Sequence, residues 1–299
     1  MDPLQIDENL SDLRQPYLLL TFSGWSDAAG VATAAGRFLV EHLEAERIAQ
    51  IDPEDFYSFA DQRPQAQYND NNEREIIWPA NEFFLSRQPQ LEHDVIIGVG
   101  VEPHLKWRTF TDVMMDLTQR CKVFQTVTLG ALWADVLYSA PVRFSGSATD
   151  PELSRALGLG TGSRYEGPTG MIGVLHDKLR RNQFTSASLW ANMPYYISVT
   201  PNPKGMHALV RRGLGIVGLP ADFPDLEEET REFEERVAEA ISQDPKIAAH
   251  VKKLERQQAR ADSGSLLLPE GAVSGDDLAA ELQRYLREQR GEQEESEEG

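Results

Sequence analysis

Tyr17-Leu18-Leu19-Leu20-Thr21-Phe22-Ser23-Gly24-Trp25-Ser26-Asp27-Ala28-Ala29-Gly30 is the stretch that decides the fold. Tyr17 to Phe22 is too uniformly apolar for a strand with one face in water, so it predicts a central, parallel strand covered on both faces. The run stops at Ser23-Gly24. From there Ala28, Val31, Ala32, Ala35, Phe38, Leu39 and Leu43 recur at helical spacing, with Ser26 or Asp27 suited to cap the start.

The same grammar returns downstream. Asp94 to Val101 predicts a strand, and Trp107, Phe110, Val113 and Leu117 form the stripe of a following helix. Lys122 to Thr128 reads as a third strand that leads through Leu129-Gly130 into a helix beginning Ala131-Leu132-Trp133-Ala134-Asp135-Val136. Thr169 to Arg181 reads as a helix and Ser186 to Ala191 as the buried strand after it. Such alternation predicts an α/β fold with helices on both faces of a sheet. Asp52 to Asn72, with Pro53, Pro64 and many Gln and Asn residues, is expected at a rim as edge structure and loop. Ser145 to Gly167, rich in Gly and Ser, is long enough for a lid or an interface loop.

After Pro220 the pattern becomes charged and helical, with Leu226, Phe233 and Val237 as an apolar stripe between acids. Asp244-Pro245 predicts a cap and the first position of a fresh helix through Ile247, Val251 and Leu254. A last helix is expected near Ser274-Gly275-Asp276-Asp277, before a disordered Glu-rich end. The expected organisation is an N-terminal segment at 1–16, an α/β core at 17–220, a charged helical extension at 221–290 and an acidic tail at 291–299.

Composition narrows the function classes. Of the 299 residues 40% are hydrophobic and 26% charged, enough apolar material for a sizeable core. The acidic start, Met1-Asp2-Pro3-Leu4, lacks the basic flank and apolar run of a secretory signal, and no stretch approaches the roughly 20 apolar residues of a membrane span. Cys121 is the sole cysteine, so an intrachain disulfide and a cysteine metal cluster are excluded. A cytoplasmic protein with no membrane contact, no cofactor and no metal is expected. The formal net charge of −19 opposes binding to nucleic acid, whose affinity comes from Lys and Arg.

In a parallel α/β sheet the strand C-termini and the helix N-termini after them converge on one edge, where free amides attract anions. Three loops and one strand end should reach that edge. Gly24, Trp25 and Asp27 come from the first loop, where the favoured reading is that Trp25 packs at a rim or on a neighbouring subunit while Asp27 only caps a helix. Glu102 and Arg108 come from the second, where Glu102 could orient a ligand hydroxyl or act as a base, or else pair with Lys106 or Arg108. Glu166, Thr169 and Gly170 come from the third, where Thr169 could also be an ordinary cap. Gly130 lies at the turn of the third unit, and Asn192 ends the strand beginning at Ser186. Met193-Pro194 could be cis, against the usual trans preference. The chain has no Gly-x-Ser-x-Gly elbow and no His-Glu-x-x-His motif, and its six histidines are scattered. His176, beside Asp177 on a predicted helix, reads as packed or solvated rather than catalytic. No catalytic group is assigned.

Taken together, Gly24-Trp25-Ser26-Asp27-Ala28-Ala29-Gly30, Gly130-Ala131-Leu132-Trp133-Ala134-Asp135-Val136, Tyr165-Glu166-Gly167-Pro168-Thr169-Gly170 and Pro201-Asn202-Pro203-Lys204 resemble the proteasome-assembly-chaperone-like family, second-chaperone type, in its actinobacterial branch. The resemblance spans Tyr17 to Leu219. It implies a three-layer α/β/α fold with a mixed, mainly parallel sheet similar to the phosphorylase/hydrolase-like fold, and assembly into homo-oligomers. The family's eukaryotic members act in proteasome ring assembly, a role that does not carry over residue by residue. A non-catalytic binding or assembly protein with a protein partner is therefore expected; the alternative is a hydrolase- or phosphorylase-like enzyme, or a binder of a small anionic metabolite, using the crevice above.

Overall fold

The computed structural model describes residues 2–6, 10, 12–69, 71–159 and 166–263. The expected helix near Ser274 and the Glu-rich end lie outside them. Tyr17 to Ser23 forms strand β2, in which Leu18, Leu19 and Leu20 are three successive residues with essentially no exposure. Because neighbouring side chains in a strand point to opposite faces, both faces of β2 must be covered. Full burial of each leucine is worth about 1.5–3 kcal/mol, which makes this strand the natural centre of the sheet.

Beside it run β7 (Val95–Val101), β8 (Gln125–Ala134) and β10 (Ser186–Pro194), giving a parallel block in the order β7-β2-β8-β10. Antiparallel strands extend it on both sides. β6 (Asn81–Ser86), β3 (Glu46–Ile51) and β1 (Leu4–Ile6) continue from β7, and β9 (Phe144–Ala148) closes the other edge against β10. The eight-stranded sheet is mixed, with a parallel centre. The N-terminal segment thus joins the sheet through β1, with Leu4 buried.

Helices α1 (Val31–His42) and α5 (Pro203–Val217) pack on the face that carries Leu19, Ile97, Val127 and Leu189. Helices α2 (Trp107–Arg120) and α4 (Met171–Arg181) cover the face of Leu18, Leu20, Phe22 and Ile96. This is the expected three-layer arrangement. A short helix α3 (Pro151–Ala156) lies in the Gly/Ser-rich stretch, and α6 (Pro224–Gln243) and α7 (Pro245–Ser263) form the charged appendage. Leu226, Phe233 and Val237 of α6 are buried, as their spacing predicts.

One expectation changes and two gain detail. Gly130 to Ala134 continues β8 instead of turning into a helix, because Ala131 pairs with Asp27 and its amide donates to the Ser26 carbonyl at 2.9 Å. The cis peptide precedes Pro201, not Pro194. Part of the Asp52–Asn72 rim is ordered as β4 (Gln65–Tyr68), which with β5 (Arg74–Ile77) makes a separate two-stranded ribbon.

His176 of α4 is a structural joint between helix and sheet. Its Nε2 lies 2.8 Å from the Thr128 hydroxyl of β8 and its Nδ1 lies 3.0 Å from the Ser186 hydroxyl of β10. Burial pushes its pKa down to about 4. A histidine whose folded pKa lies below the unfolded value is neutral in the fold, so its contribution is complete above about pH 6.5 and lost as pH falls toward 4. The loss is at most about 3 kcal/mol, reduced by the partial exposure of the ring. His176→Gln should therefore flatten the fall in the urea midpoint between pH 6.5 and 4. Identical profiles for the two proteins would show that this joint does not titrate.

Candidate functional site

The carboxyl ends of β2 and β7 meet the start of α4 at one side chain. Glu102 follows directly after β7, and its own amide donates to the Ser23 carbonyl at 2.9 Å. Its Oε2 accepts from the Trp25 amide at 3.2 Å and its Oε1 from the Met171 amide at 2.8 Å. One carboxylate therefore ties together the loops after both strands and caps α4 from 69 residues away in sequence. The macrodipole of α4 adds to this contact, since the first turn of a helix favours negative charge.

The glycines around it are required by crowding. Gly24 turns with φ +113°, a conformation that L side chains rarely adopt, and a Cβ there would lie 3.2 Å from Glu102 Cβ. A Cβ on Gly170 would sit 2.7 Å from Trp25 Cε3 and 3.0 Å from Glu102 Oε1. Trp25 thus lies across Gly170, yet 56% of it faces solvent. Gly24, Trp25, Glu102 and Gly170 converge as expected.

The other expected residues behave differently. Asp27 turns into the body, where its carboxylate accepts from the amides of Ala32 at 2.6 Å and Thr33 at 3.3 Å and from the Thr33 hydroxyl. It caps the first turn of α1, and burial raises its pKa while those hydrogen bonds pull it down. Glu102 does not pair with Lys106, which bridges to Asp55 at 2.7 Å; it takes two amides instead. Arg108 is exposed on the first turn of α2. Thr169 is no cap either: its hydroxyl packs where a Cβ on Gly173 would lie, and Glu102 takes the position at the start of α4. Glu166 is exposed. Gly130 lies within β8, where a Cβ would meet the Trp190 ring at 2.9 Å. Asn192 belongs to a second locus, with its Oδ1 accepting from Ser145 Oγ at 3.0 Å.

That second locus is a cavity of about 220 Å³ between the ends of β8 and β10 and helices α6 and α7. Asp135, Tyr138, Asn192, Lys204, Phe233 and Leu254 are among its walls. Two of its charged groups, Asp135 and Lys204, pair with side chains outside its walls. His250 Nε2 lies 2.7 Å from Asp135 Oδ1 and 3.2 Å from the Tyr195 hydroxyl, while Lys204 donates to the Tyr138 carbonyl and to Glu234. In sequence its pointers are Asn192 and the segments Gly130–Val136 and Pro201–Lys204; nothing local places His250 against Asp135.

At the strand ends the carboxylates thus hold the chain's own groups. An outside anion at the start of α4 would have to displace Glu102, so the small-anion crevice of the sequence reading is filled by the protein itself. Among the described residues no helix is long and apolar enough to cross a membrane.

Fold and edge define a three-layer α/β/α protein with a helical C-terminal appendage and strand ends closed by its own carboxylates. Comparison with known proteins narrows the class. The chain belongs to the PAC2 family, whose model matches residues 21–241. A PAC2 family protein from Streptomyces avermitilis is 32% identical over 79% of this chain and 99% of its own, with a TM-score of 0.72. The Mycobacterium tuberculosis proteasome-assembly chaperone homologue Rv2125 is 34% identical over the same shares, with a TM-score of 0.71. PbaB, an archaeal proteasome activator from Pyrococcus furiosus, shares the fold at 19% identity over 80% of this chain and 99% of its own, with a TM-score of 0.63. No curated protein matches the chain.

Glu102→Ala should leave two amides without their acceptor and the start of α4 uncapped, costing about 1–2 kcal/mol in chemical denaturation. Glu102→Gln keeps an acceptor oxygen for one amide and should cost less. Equal costs for the two variants would show that the contact with the amides does not stabilise the fold.

Proposed function

We propose that the chain is a non-catalytic binding or assembly protein of the proteasome-assembly-chaperone kind, working in the cytoplasm as a homo-oligomer that contacts protein partners. One observation carries this reading. At the sheet edge where an α/β enzyme keeps polar groups free for a substrate, Glu102 and Asp27 are spent on backbone amides, while Trp25 and Leu105 stand 56% and 50% exposed. An aromatic and an aliphatic side chain over a rigid, hydrogen-bonded base suit the centre of a protein contact.

The relatives support one partner class. Mycobacterial Rv2125 and archaeal PbaA are described as homologues of proteasome-assembly chaperones, and PbaB as a proteasome activator. By that similarity the protein partners are proteasome subunits, and the net charge of −19 argues against nucleic acid as a competing partner. The hydrolase- or phosphorylase-like alternative has no comparable support, because the fold it would rest on hosts many unrelated functions.

Sedimentation velocity of the full chain mixed with separately purified proteasome α- and β-subunits of the same source should show a complex heavier than either component. Absence of any complex, together with unchanged ring assembly on native gels, would overturn the reading.

A further inference from the structure

The ribbon of β4 and β5 is unlike the rest of the fold. Its register, Gln65 opposite Ile77 through Tyr68 opposite Arg74, leaves it outside the main sheet, and almost all of its residues are exposed. Tyr68 is 68% exposed, Ile76 and Ile77 are each 42% exposed, and Trp78 at its root is 47% exposed. An isolated two-stranded hairpin is at best marginally stable in water, so a ribbon with apolar side chains on its surface calls for a covering surface.

The pairing sorts its side chains. Ala66, Tyr68, Arg74 and Ile76 share one face, while Gln65, Gln67, Glu75 and Ile77 share the other, where Gln67 donates to Glu75 at 2.9 Å. The first face therefore offers an aromatic ring, an aliphatic side chain and one cation. Arg74 makes no ion pair among the described residues.

The ribbon's root leads to the edge described above. Trp78 packs on Phe59 with ring centroids 4.8 Å apart, the Ser58 amide donates to His104 Nδ1 at 3.2 Å, and the Leu105 amide donates to the Phe56 carbonyl at 3.0 Å. Leu105 and Trp25 are the exposed apolar groups of that edge, with the acids Glu102 and Glu166 in the loops beside them. Ribbon and edge are complementary: Tyr68 and Ile76 match Trp25 and Leu105, and Arg74 matches the exposed Glu166 and the face of the indole.

We propose that the ribbon is an arm that seats on the Trp25–Leu105 edge of a second copy of this chain. The same chain carries both halves of the contact on different surfaces. The contact is therefore heterologous, and it closes into a ring when the rotation between copies permits. The charge of −19 does not forbid it, since charges more than about 10 Å apart are largely screened at 0.1 M salt. The inference rests on the reading of the Trp25 edge as a protein-contact surface and names the partner that surface takes.

Two single-cysteine exchanges of exposed residues, Tyr68→Cys on the arm and Leu105→Cys on the edge, test it in the full chain. Native Cys121 is buried and does not compete. Mixing the two variants under mild oxidation should give a disulfide-linked dimer containing one of each, with little product from either variant alone. Tyr68→Ser with Ile76→Ser on the arm, or Trp25→Ala on the edge, should each weaken self-association about tenfold or more by sedimentation equilibrium. A chain that sediments as a monomer at every concentration overturns the inference. So does an oligomer that neither cross-links in the mixture nor responds to the arm variant. If that oligomer still binds proteasome subunits, the assembly reading stands and only the arm falls; a cross-linked oligomer that binds no subunits sinks the assembly reading and leaves the arm intact.

Discussion

Three consecutive leucines with no solvent exposure set the terms for everything else in this molecule. Leu18, Leu19 and Leu20 alternate across β2, so the strand is stable only between two apolar layers. The chain supplies α1 and α5 on one side and α2 and α4 on the other. Because β2, β7, β8 and β10 run parallel, their carboxyl ends share one edge, and the loops that leave them must be fastened there. Glu102 does the fastening. It lies one residue beyond β7, within reach of the loop after β2 and of the first amide of α4.

That fastening explains why the carboxylate at this edge is not free for a ligand. A carboxylate at a helix N-terminus in an α/β crevice is a common way to bind or activate a ligand, and Glu102 has the right position. Both of its oxygens, however, hold backbone amides of the chain itself. Asp27 is spent in the same way on α1, and Asp135 on His250. What such an edge can do is therefore set by the pairing of individual side chains and not by the architecture that carries them.

How much of this was legible in the sequence depended on the range of each interaction. The strand at Tyr17, the helix after it, the stripe of Leu226, Phe233 and Val237 and the cap at Asp244 are local patterns, and each is found. Gly130 to Ala134 was misread because a short apolar run fits a helix or a strand equally, and its pairing with Asp27 is decided across about a hundred residues of chain. Likewise Gly24, Trp25, Glu102 and Gly170 could be grouped because strand ends in a parallel sheet must converge. Nothing in the sequence said that Glu102, and not Thr169, caps α4. The ribbon was visible only as a polar, proline-bearing rim, since its apolar residues are few and cover no core.

The charged appendage follows a related logic. A small cluster of Ile197, Phe233 and Val237 joins it to the body by apolar contact, and Phe223 at its start packs on Phe38. Polar ties add to it, among them Lys204 to Glu234 and His250 to Asp135, with Lys204 only 13% exposed. The partly buried Lys204–Glu234 ion pair returns little net stability, because desolvation offsets its attraction, but losing one partner strands the other. Such ties therefore select one docking position over neighbouring ones more than they tighten it. The segment Pro201-Asn202-Pro203-Lys204 gains its meaning in this setting. Asn202 caps α5 through the Gly205 amide at 3.0 Å, Pro203 opens the helix, and Lys204 on its first turn reaches back to Tyr138 and across to α6. Four residues that look like a recognition motif are the hinge on which the helical pair is hung.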